Sequence, residues 1–178
     1  IYYLLGICYQ RTSGWMSANA LLYYTKATEL AQKTGDVETL QSTMFLVWIS
    51  LLMALDLTKA RNAASEILLH AKTRNDVRAV KEGYIAMANT TFWLGECQES
   101  LTILSESGLL EAADDEATAH QIDLASLGIM FHGLSSFQLG RFDLAREGLR
   151  RLLVRGRLNL VGQDLSLITI RPGRRRGM

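Results

Sequence analysis

Proline is almost absent from this chain: the only one is Pro172, close to the end of the 178 residues. Proline removes a backbone donor and clashes with the preceding helical turn, so the sequence before Pro172 can form long helices without interruption. The same stretch is rich in alanine, leucine, glutamate and arginine, which favour helices. No hairpin-turn dipeptide lies between alternating apolar runs. These features predict an all-α fold.

The helical pattern stops at regular intervals. The first set of stops is spaced by 41, 40 and 45 residues, at Gly14, Leu55, Gly95 and Gly140. Glycine suits the end of a helix because it accepts a positive φ without a Cβ penalty. A second signal, in which a turn residue precedes a capping aspartate, recurs at 35–36 and 75–76. This regularity indicates repeated helical hairpins.

The stops divide the chain into eight predicted helices. Their ranges are 1–10 continuing toward Gly14, 16–34, 37–54, 58–73, 77–93, 98–107, one that ends at 138 after an acidic loop and helix start at 109–120, and one that ends near 154. A further helix at 158–170 is expected to cap the stack. The arginine-rich segment 171–178 is expected to be a disordered tail. We therefore predict one domain over 1–170, as a fragment of a longer protein.

Small residues mark where helices can approach closely. Gly133 precedes Gly140, and Ala145 follows it, with Phe137 and Leu149 around them. Glycine and alanine on facing helices permit a short interaxial distance. This pattern resembles the tetratricopeptide repeat, a family of stacked antiparallel helix pairs. The repeats here are longer than that family's standard unit of about 34 residues.

The longer repeats resemble a narrower group, the tetratricopeptide-like C-terminal region of bacterial signal-transduction ATPases. Three segments within about 20–153 carry this resemblance: ATELAQKTGDVETL, FWLGECQESL and FQLGRFDLAREGL. It implies a right-handed solenoid of about four hairpins of 40–45 residues with a terminal helix. It also implies a cytoplasmic interaction or regulatory scaffold module of a larger bacterial signalling or transcription-regulating protein. The alternative is the non-catalytic helical part of an ATPase-linked nucleotide cyclase or another enzyme.

Catalytic and metal-binding patterns are missing from the sequence. The three histidines, His70, His120 and His132, have no i, i+4 pairing, and no GxxxxGK[ST] or GxSxG motif is present. We expect no enzyme activity, cofactor or metal. Nucleic-acid binding is not expected at a net charge of +1. The apolar run 44–55 is too short to span a membrane, so no membrane partner is expected.

The resemblance also implies where a protein partner would bind. In such stacks the first helix of each hairpin lines a concave groove. The corresponding side chains are Arg11, Phe45, Ile49, Leu52, Ile85, Asn89, Phe92, Met130, Leu134 and Phe137. This mostly apolar set is expected to bind a helical or extended protein segment, including one from the same parent chain. The competing interpretation is that the longer helices turn some of these residues into the core.

The N-terminal helix begins with an apolar run, Ile1 to Leu5. A solenoid needs a polar face on its terminal units to stay separate from other molecules. We therefore expect self-association through the N-terminal helix face, or a further repeat before it.

Overall fold

The computed structural model describes residues 1–111 and 123–168, with side chains up to residue 156. These residues form eight helices and no strand. The helices are α1 (Tyr2–Ser13), α2 (Ala18–Thr34), α3 (Val37–Met53), α4 (Leu57–Thr73), α5 (Val77–Trp93), α6 (Cys97–Glu106), α7 (Leu124–Gln138) and α8 (Phe142–Ile168). The all-α prediction is confirmed, and most helix ends lie within two residues of the predicted ones.

The C-terminal part differs from the prediction. No separate helix begins near 158, because α8 continues without a break to Ile168. Gly156 lies between positions 154 and 158, but it does not adopt a positive φ and no capping aspartate follows it, so nothing there ends the helix. The predicted disordered tail at 171–178, and the part of the acidic loop at 112–122, lie outside the described residues.

Left-handed backbone ends the helices at the predicted stops. Positive φ occurs at Gly35, Gly95 and Gly140, and also at Leu55 with φ 59° and Asn75 with φ 54°. Aspartates then start the next helices: the Asp36 carboxylate accepts a bond from the Thr39 amide at 3.1 Å. Asp56, Asp76 and Asp123 cap α4, α5 and α7 in the same way. At Gly35, Leu55 and Asn75 a left-handed residue is therefore followed directly by a capping aspartate, whereas Gly95 is followed by Glu96, whose side chain makes no capping hydrogen bond.

Leu55 is a leucine in a conformation that suits glycine. A left-handed residue with a Cβ is strained by about 1–2 kcal/mol, whereas glycine loses about 0.5–1 kcal/mol of backbone entropy. The Leu55 side chain is 69% exposed, so its removal leaves no cavity. We expect Leu55→Gly to raise the free energy of unfolding by about 0.5–1 kcal/mol in urea titrations. Gly95→Ala, at the equivalent turn with φ 82°, should lower it instead; equal shifts for both variants would contradict this account.

The helices pack in chain order. Each helix contacts the next one, and α5 also contacts both α3 and α7. Two buried clusters result. The first surrounds Trp48 and Ile67 on α3 and α4, and the second surrounds Ile85 and Phe131 on α5 and α7. The core is therefore a row of contacts between neighbouring helices.

Glycine allows a close approach of two helix backbones, between α4 and α5. A Cβ added at Gly83 would lie 2.7 Å from the Leu68 Cα, which is backbone. The predicted crossing at Gly133 is looser, since an added Cβ would lie 3.7 Å from the Ala145 carbonyl oxygen. The buried Gly148, which the small-residue pattern did not include, also faces Gly133. This close backbone contact thus lies between α4 and α5, not at the α7–α8 crossing that the motif suggested.

An ion pair joins the start of α7 to α8. The Arg155 guanidinium lies 3.1 Å from Asp123 Oδ1, and the Arg155 side chain is only 1% exposed. Asp123 also accepts a bond from the Ser126 amide as the N-cap of α7. Burial raises the pKa of Asp123, but hydrogen bonds from Ser126 and Arg155 outweigh it and leave that pKa below its usual value. One carboxylate therefore both starts α7 and holds α8 against it.

Candidate functional site

An apolar concavity lies on the last hairpin. It has a volume of about 420 Å³ and is open to solvent between α7 and α8. We call it the α7–α8 groove, and its walls include Met130, Leu134, Phe137, Phe142, Ala145 and Leu149. Phe137 and Phe142 meet edge to face with ring centroids 5.6 Å apart.

Large apolar side chains of this groove are exposed. Phe137 and Leu149 are each 59% exposed, and Phe142 is 57% exposed. An exposed apolar surface of this kind usually marks an interaction site in a protein. Arg146 lies at the rim, where it pairs with Asp143 at 3.1 Å. The groove is therefore apolar with a charged edge.

The preceding hairpin shows what covers such a surface. Moving the groove positions back by the 45-residue repeat interval places Leu149 at Leu104 and Phe142 at Cys97. Leu104 is fully buried and Cys97 is 9% exposed. Helix α7 accounts for the burial of Leu104, since Phe131 of α7 lies in the same buried cluster and contacts the Phe92 ring with centroids 5.7 Å apart. The face of the hairpin that contains these positions is thus buried in α5–α6 and exposed to solvent in α7–α8.

A second contact shows how closely α7 covers α5–α6. The Ser135 hydroxyl of α7 donates to Ser100 Oγ at 3.2 Å, and the Ser100 hydroxyl donates to the Ala88 carbonyl at 2.9 Å. All three residues are fully buried. Small side chains at these positions let the helix lie close to the hairpin beneath it.

Helix α5 covers the α3–α4 hairpin in the same manner. Ala60 and Ala64 of α4 are fully buried. The Trp48 indole of α3 donates to Thr90 Oγ1 of α5 at 3.0 Å. Two successive hairpins are therefore covered by the helix that follows each of them in the chain.

The structure brings together only three of the residues assigned to the groove from the sequence. Met130, Leu134 and Phe137 share the α7–α8 groove. Leu52 and Ile85 are buried in the two core clusters, so they line no exposed groove. The longer helices turn their side chains inward, as the competing interpretation held.

The remaining candidates lie elsewhere. Phe45 and Ile49 are half-buried against the first core cluster, and Phe92 against the second. Asn89 is half-buried, and its Oδ1 has no hydrogen-bond partner among the described residues. Arg11 is exposed on α1, which is the first helix of the chain, whereas the last two helices form the α7–α8 groove. Partner binding at these positions stays a prediction.

Sequence reasoning did not assign Phe142 and Leu149 to the groove. Both lie on the second helix of the hairpin, whereas the resemblance pointed to first helices only. The apolar stripe of α8 was visible in the sequence, but an apolar stripe alone does not show whether another helix covers it. The missing information was the position of the next helix.

His132, the histidine of α7, is a poor candidate for a charged or metal-binding group. Burial lowers the pKa of His132, and the nearby charges of Arg151 and Arg141 lower it further. Its imidazole is therefore neutral at pH 7. Among residues 1–111 and 123–156, no three His, Cys, Asp or Glu side chains are grouped so that they could hold a metal ion.

No protein-family model matches this sequence, and none of the curated proteins does. None of the helices at 1–111 and 123–168 has the length and hydropathy needed to cross a membrane.

Proposed function

We propose that this chain is a protein-interaction module built as a tetratricopeptide-like stack of hairpins. It would act as a scaffold or regulatory part of a larger bacterial signalling or transcription-regulating protein. Support for a stack comes from the packing of the helices in chain order, together with the contacts of α5 to α3 and α7. Support for binding comes from the α7–α8 groove.

One observation carries the proposal: the face that is covered in two earlier hairpins is bare in the last one. Leu149 is 59% exposed, whereas its counterpart Leu104 is fully buried beneath α7. A surface that is shaped to accept a helix within the molecule is also shaped to accept one from a partner. We therefore propose an amphipathic helix as the binding element.

The groove has the features of an anchoring site. Phe137 and Phe142 supply rigid aromatic surface, which contributes most to binding when it becomes fully buried. The rim carries Arg146 and Asp143, both exposed, which can align a polar edge of the bound helix. The apolar centre gives affinity and the charged edge gives orientation.

A synthetic peptide with the sequence of α7 can test whether the α7–α8 groove binds a helix. A fluorescently labelled peptide with the sequence of residues 123–139 contains the α7 face that covers α5–α6. We expect this peptide to bind the whole chain in fluorescence anisotropy titrations. Leu149→Glu should weaken the binding by about tenfold or more, because a buried unpaired carboxylate opposes docking.

Leu144→Glu is the matched control for this experiment. Leu144 lies on the same helix and is 48% exposed, but it does not line the groove. It should leave peptide affinity unchanged, and both variants should keep the wild-type circular dichroism spectrum. If the peptide does not bind, or if both glutamate variants weaken it equally, the groove is not the docking site.

A further inference from the structure

We propose that the helix which binds in the α7–α8 groove belongs to a partner protein and carries a defined sequence pattern. The pattern is a small residue, an apolar residue three positions later, and a serine or threonine seven positions after the first. This inference rests on the proposed function, because it specifies the helix that the same groove binds. It comes from the helices that cover the two hairpins before the groove.

Helix α7 shows the pattern where it covers α5–α6. A Cβ added at Gly128 would lie 3.2 Å from the Leu109 Cβ, so a small residue suits this position. Phe131, three positions later, is buried in the second core cluster. Ser135, seven positions after Gly128, donates to Ser100 Oγ at 3.2 Å. All three α7 residues are buried by the hairpin that α7 covers.

Helix α5 repeats the pattern where it covers α3–α4. The corresponding residues lie 45 positions earlier, which is the interval between the turns of the last two hairpins, and they are Gly83, Ala86 and Thr90. Gly83 lies against the backbone of Leu68. Ala86 lies in the first core cluster, and Thr90 Oγ1 accepts the Trp48 indole N–H at 3.0 Å. The two covering helices thus share the pattern, although their apolar residues differ in size.

Helix α3 has the same residue types 40 positions before those of α5, at Thr43, Leu46 and Ser50. Thr43 and Ser50 are buried. The Ser50 hydroxyl donates to the Leu46 carbonyl of its own helix at 2.8 Å. Thr90 of α5 does the same with the Ala86 carbonyl at 2.8 Å. A hydroxyl at the last position can therefore be buried without a partner on the hairpin that it covers.

Helix α8 offers the surface that matches this pattern. On α5–α6, the three α7 residues meet Leu109, the cluster that contains Leu104, and Ser100. The repeat interval of 45 residues places these three positions at Val154, Leu149 and Ala145. Ala145 and Leu149 line the groove, and Val154 is 47% exposed. The positions that α7 contacts on α5–α6 are therefore open on α8.

The pattern fits this surface in one direction. Ala145 and the neighbouring Gly133 form a part of the groove that admits the serine or threonine at short interaxial distance. The apolar residue then lies against Leu149 and Phe137, which are both exposed in the unbound chain. The first small residue lies at Val154. The bound helix therefore runs antiparallel to α8.

A folded second copy of this chain cannot offer α3, α5 or α7 to the groove. The positions that form the pattern in these three helices are buried or half-buried inside the molecule. Their release would require the stack to open. We therefore assign the bound helix to a partner protein.

Substitutions in the 123–139 peptide test the pattern. Gly128→Leu in the peptide should weaken its binding to the whole chain by about tenfold or more, because the added side chain holds the helix away from α8. Phe131→Ala should also weaken binding by about tenfold, because it removes the side chain that becomes buried against the groove. Fluorescence anisotropy titrations measure both effects.

The peptide also contains a matched control for each substitution. Peptide Gly133→Leu and Phe137→Ala make the same chemical changes on the other side of the helix, which in the chain faces α8. We expect both control peptides to keep nearly the affinity of the unsubstituted peptide. Circular dichroism of the four peptides checks that each pair has a similar helix content.

A second set of titrations tests the direction of the bound helix. Leu149→Ala in the chain should remove most of the effect of peptide Phe131→Ala, because the two side chains contact each other in the proposed complex. Leu144→Ala in the chain, outside the groove, should leave that effect intact. A full Phe131→Ala effect in the Leu149→Ala chain would overturn the antiparallel arrangement.

The outcomes separate this inference from the proposed function. If the pattern variants and their controls weaken binding equally, the groove binds a helix but does not recognise this pattern. If the unsubstituted peptide does not bind, the proposed function and this inference are both wrong. If the chain alone self-associates in light scattering and Leu149→Glu abolishes that association, the groove binds a second copy instead of a partner helix.

Discussion

Asp123→Asn is expected to lower the free energy of unfolding by about 1.5–3 kcal/mol, because it removes a charged acceptor of hydrogen bonds from the buried Arg155 guanidinium. The Arg155 side chain is 1% exposed, so water cannot replace the lost carboxylate. Asparagine is as good an N-cap as aspartate, which means that the start of α7 keeps its capping bond. Urea titration monitored by circular dichroism would measure the loss.

Asp36→Asn is the matched control for the ion pair. Asp36 caps α3 through the Thr39 amide in the same way that Asp123 caps α7, and it is exposed. We expect little change in the free energy of unfolding there, because asparagine caps a helix as well as aspartate does. Equal losses in the two variants would show that the Arg155 contact contributes nothing beyond capping.

The Asp123 carboxylate also makes the stability of the fold depend on pH. Because its folded pKa is lowered from 3.8, Asp123 stabilises the fold above about pH 3.8, and this contribution is lost as the pH falls through the folded pKa. The difference in the free energy of unfolding between the wild type and Asp123→Asn should therefore be constant near neutral pH and become smaller as the pH falls into the acid range.

Gly83→Ala is expected to destabilise the chain by about 1–3 kcal/mol, although alanine favours helices. The added Cβ would lie 2.7 Å from the Leu68 Cα and 3.0 Å from the Leu68 amide nitrogen. These are backbone atoms of α4, which cannot rotate away as a side chain does. Helices α4 and α5 would have to separate, and the contacts between them would weaken.

Gly156→Ala separates helix propensity from the clash. Gly156 lies within α8, and an added Cβ there meets nothing within 4 Å. We expect this change to stabilise the chain by up to about 1 kcal/mol, which is the propensity difference between glycine and alanine. A melting temperature that rises for both alanine variants would refute a close contact at Gly83.

Local signals in the sequence predicted the helices well. The sequence pairs Gly35 with Asp36 and Asn75 with Asp76, and in each pair a left-handed residue precedes an N-cap in the structure. Such signals depend on neighbouring residues only, so a single sequence contains them. Leu55 belongs to the same set through its spacing, although its side chain alone would not suggest a positive φ.

Contacts between distant residues could not be predicted in this way. Arg155 resembles any other arginine of α8 in the sequence, yet it is buried against Asp123, 32 positions earlier. Gly83 and Leu68 meet because of how α4 and α5 cross, which a pattern within one helix does not determine. The α7–α8 groove depended on the same kind of information, since exposure of Leu149 requires knowing that no described helix lies over it.

The packing of each helix against its neighbour in the chain has a consequence for folding kinetics. Most contacts join segments that are close in sequence, so the chain does not have to close long loops before stabilising contacts form. Folding can begin at any hairpin and spread to the adjacent ones. A ribosome releasing this chain from its N-terminus would allow α1 and α2 to pair before the later helices have been synthesised.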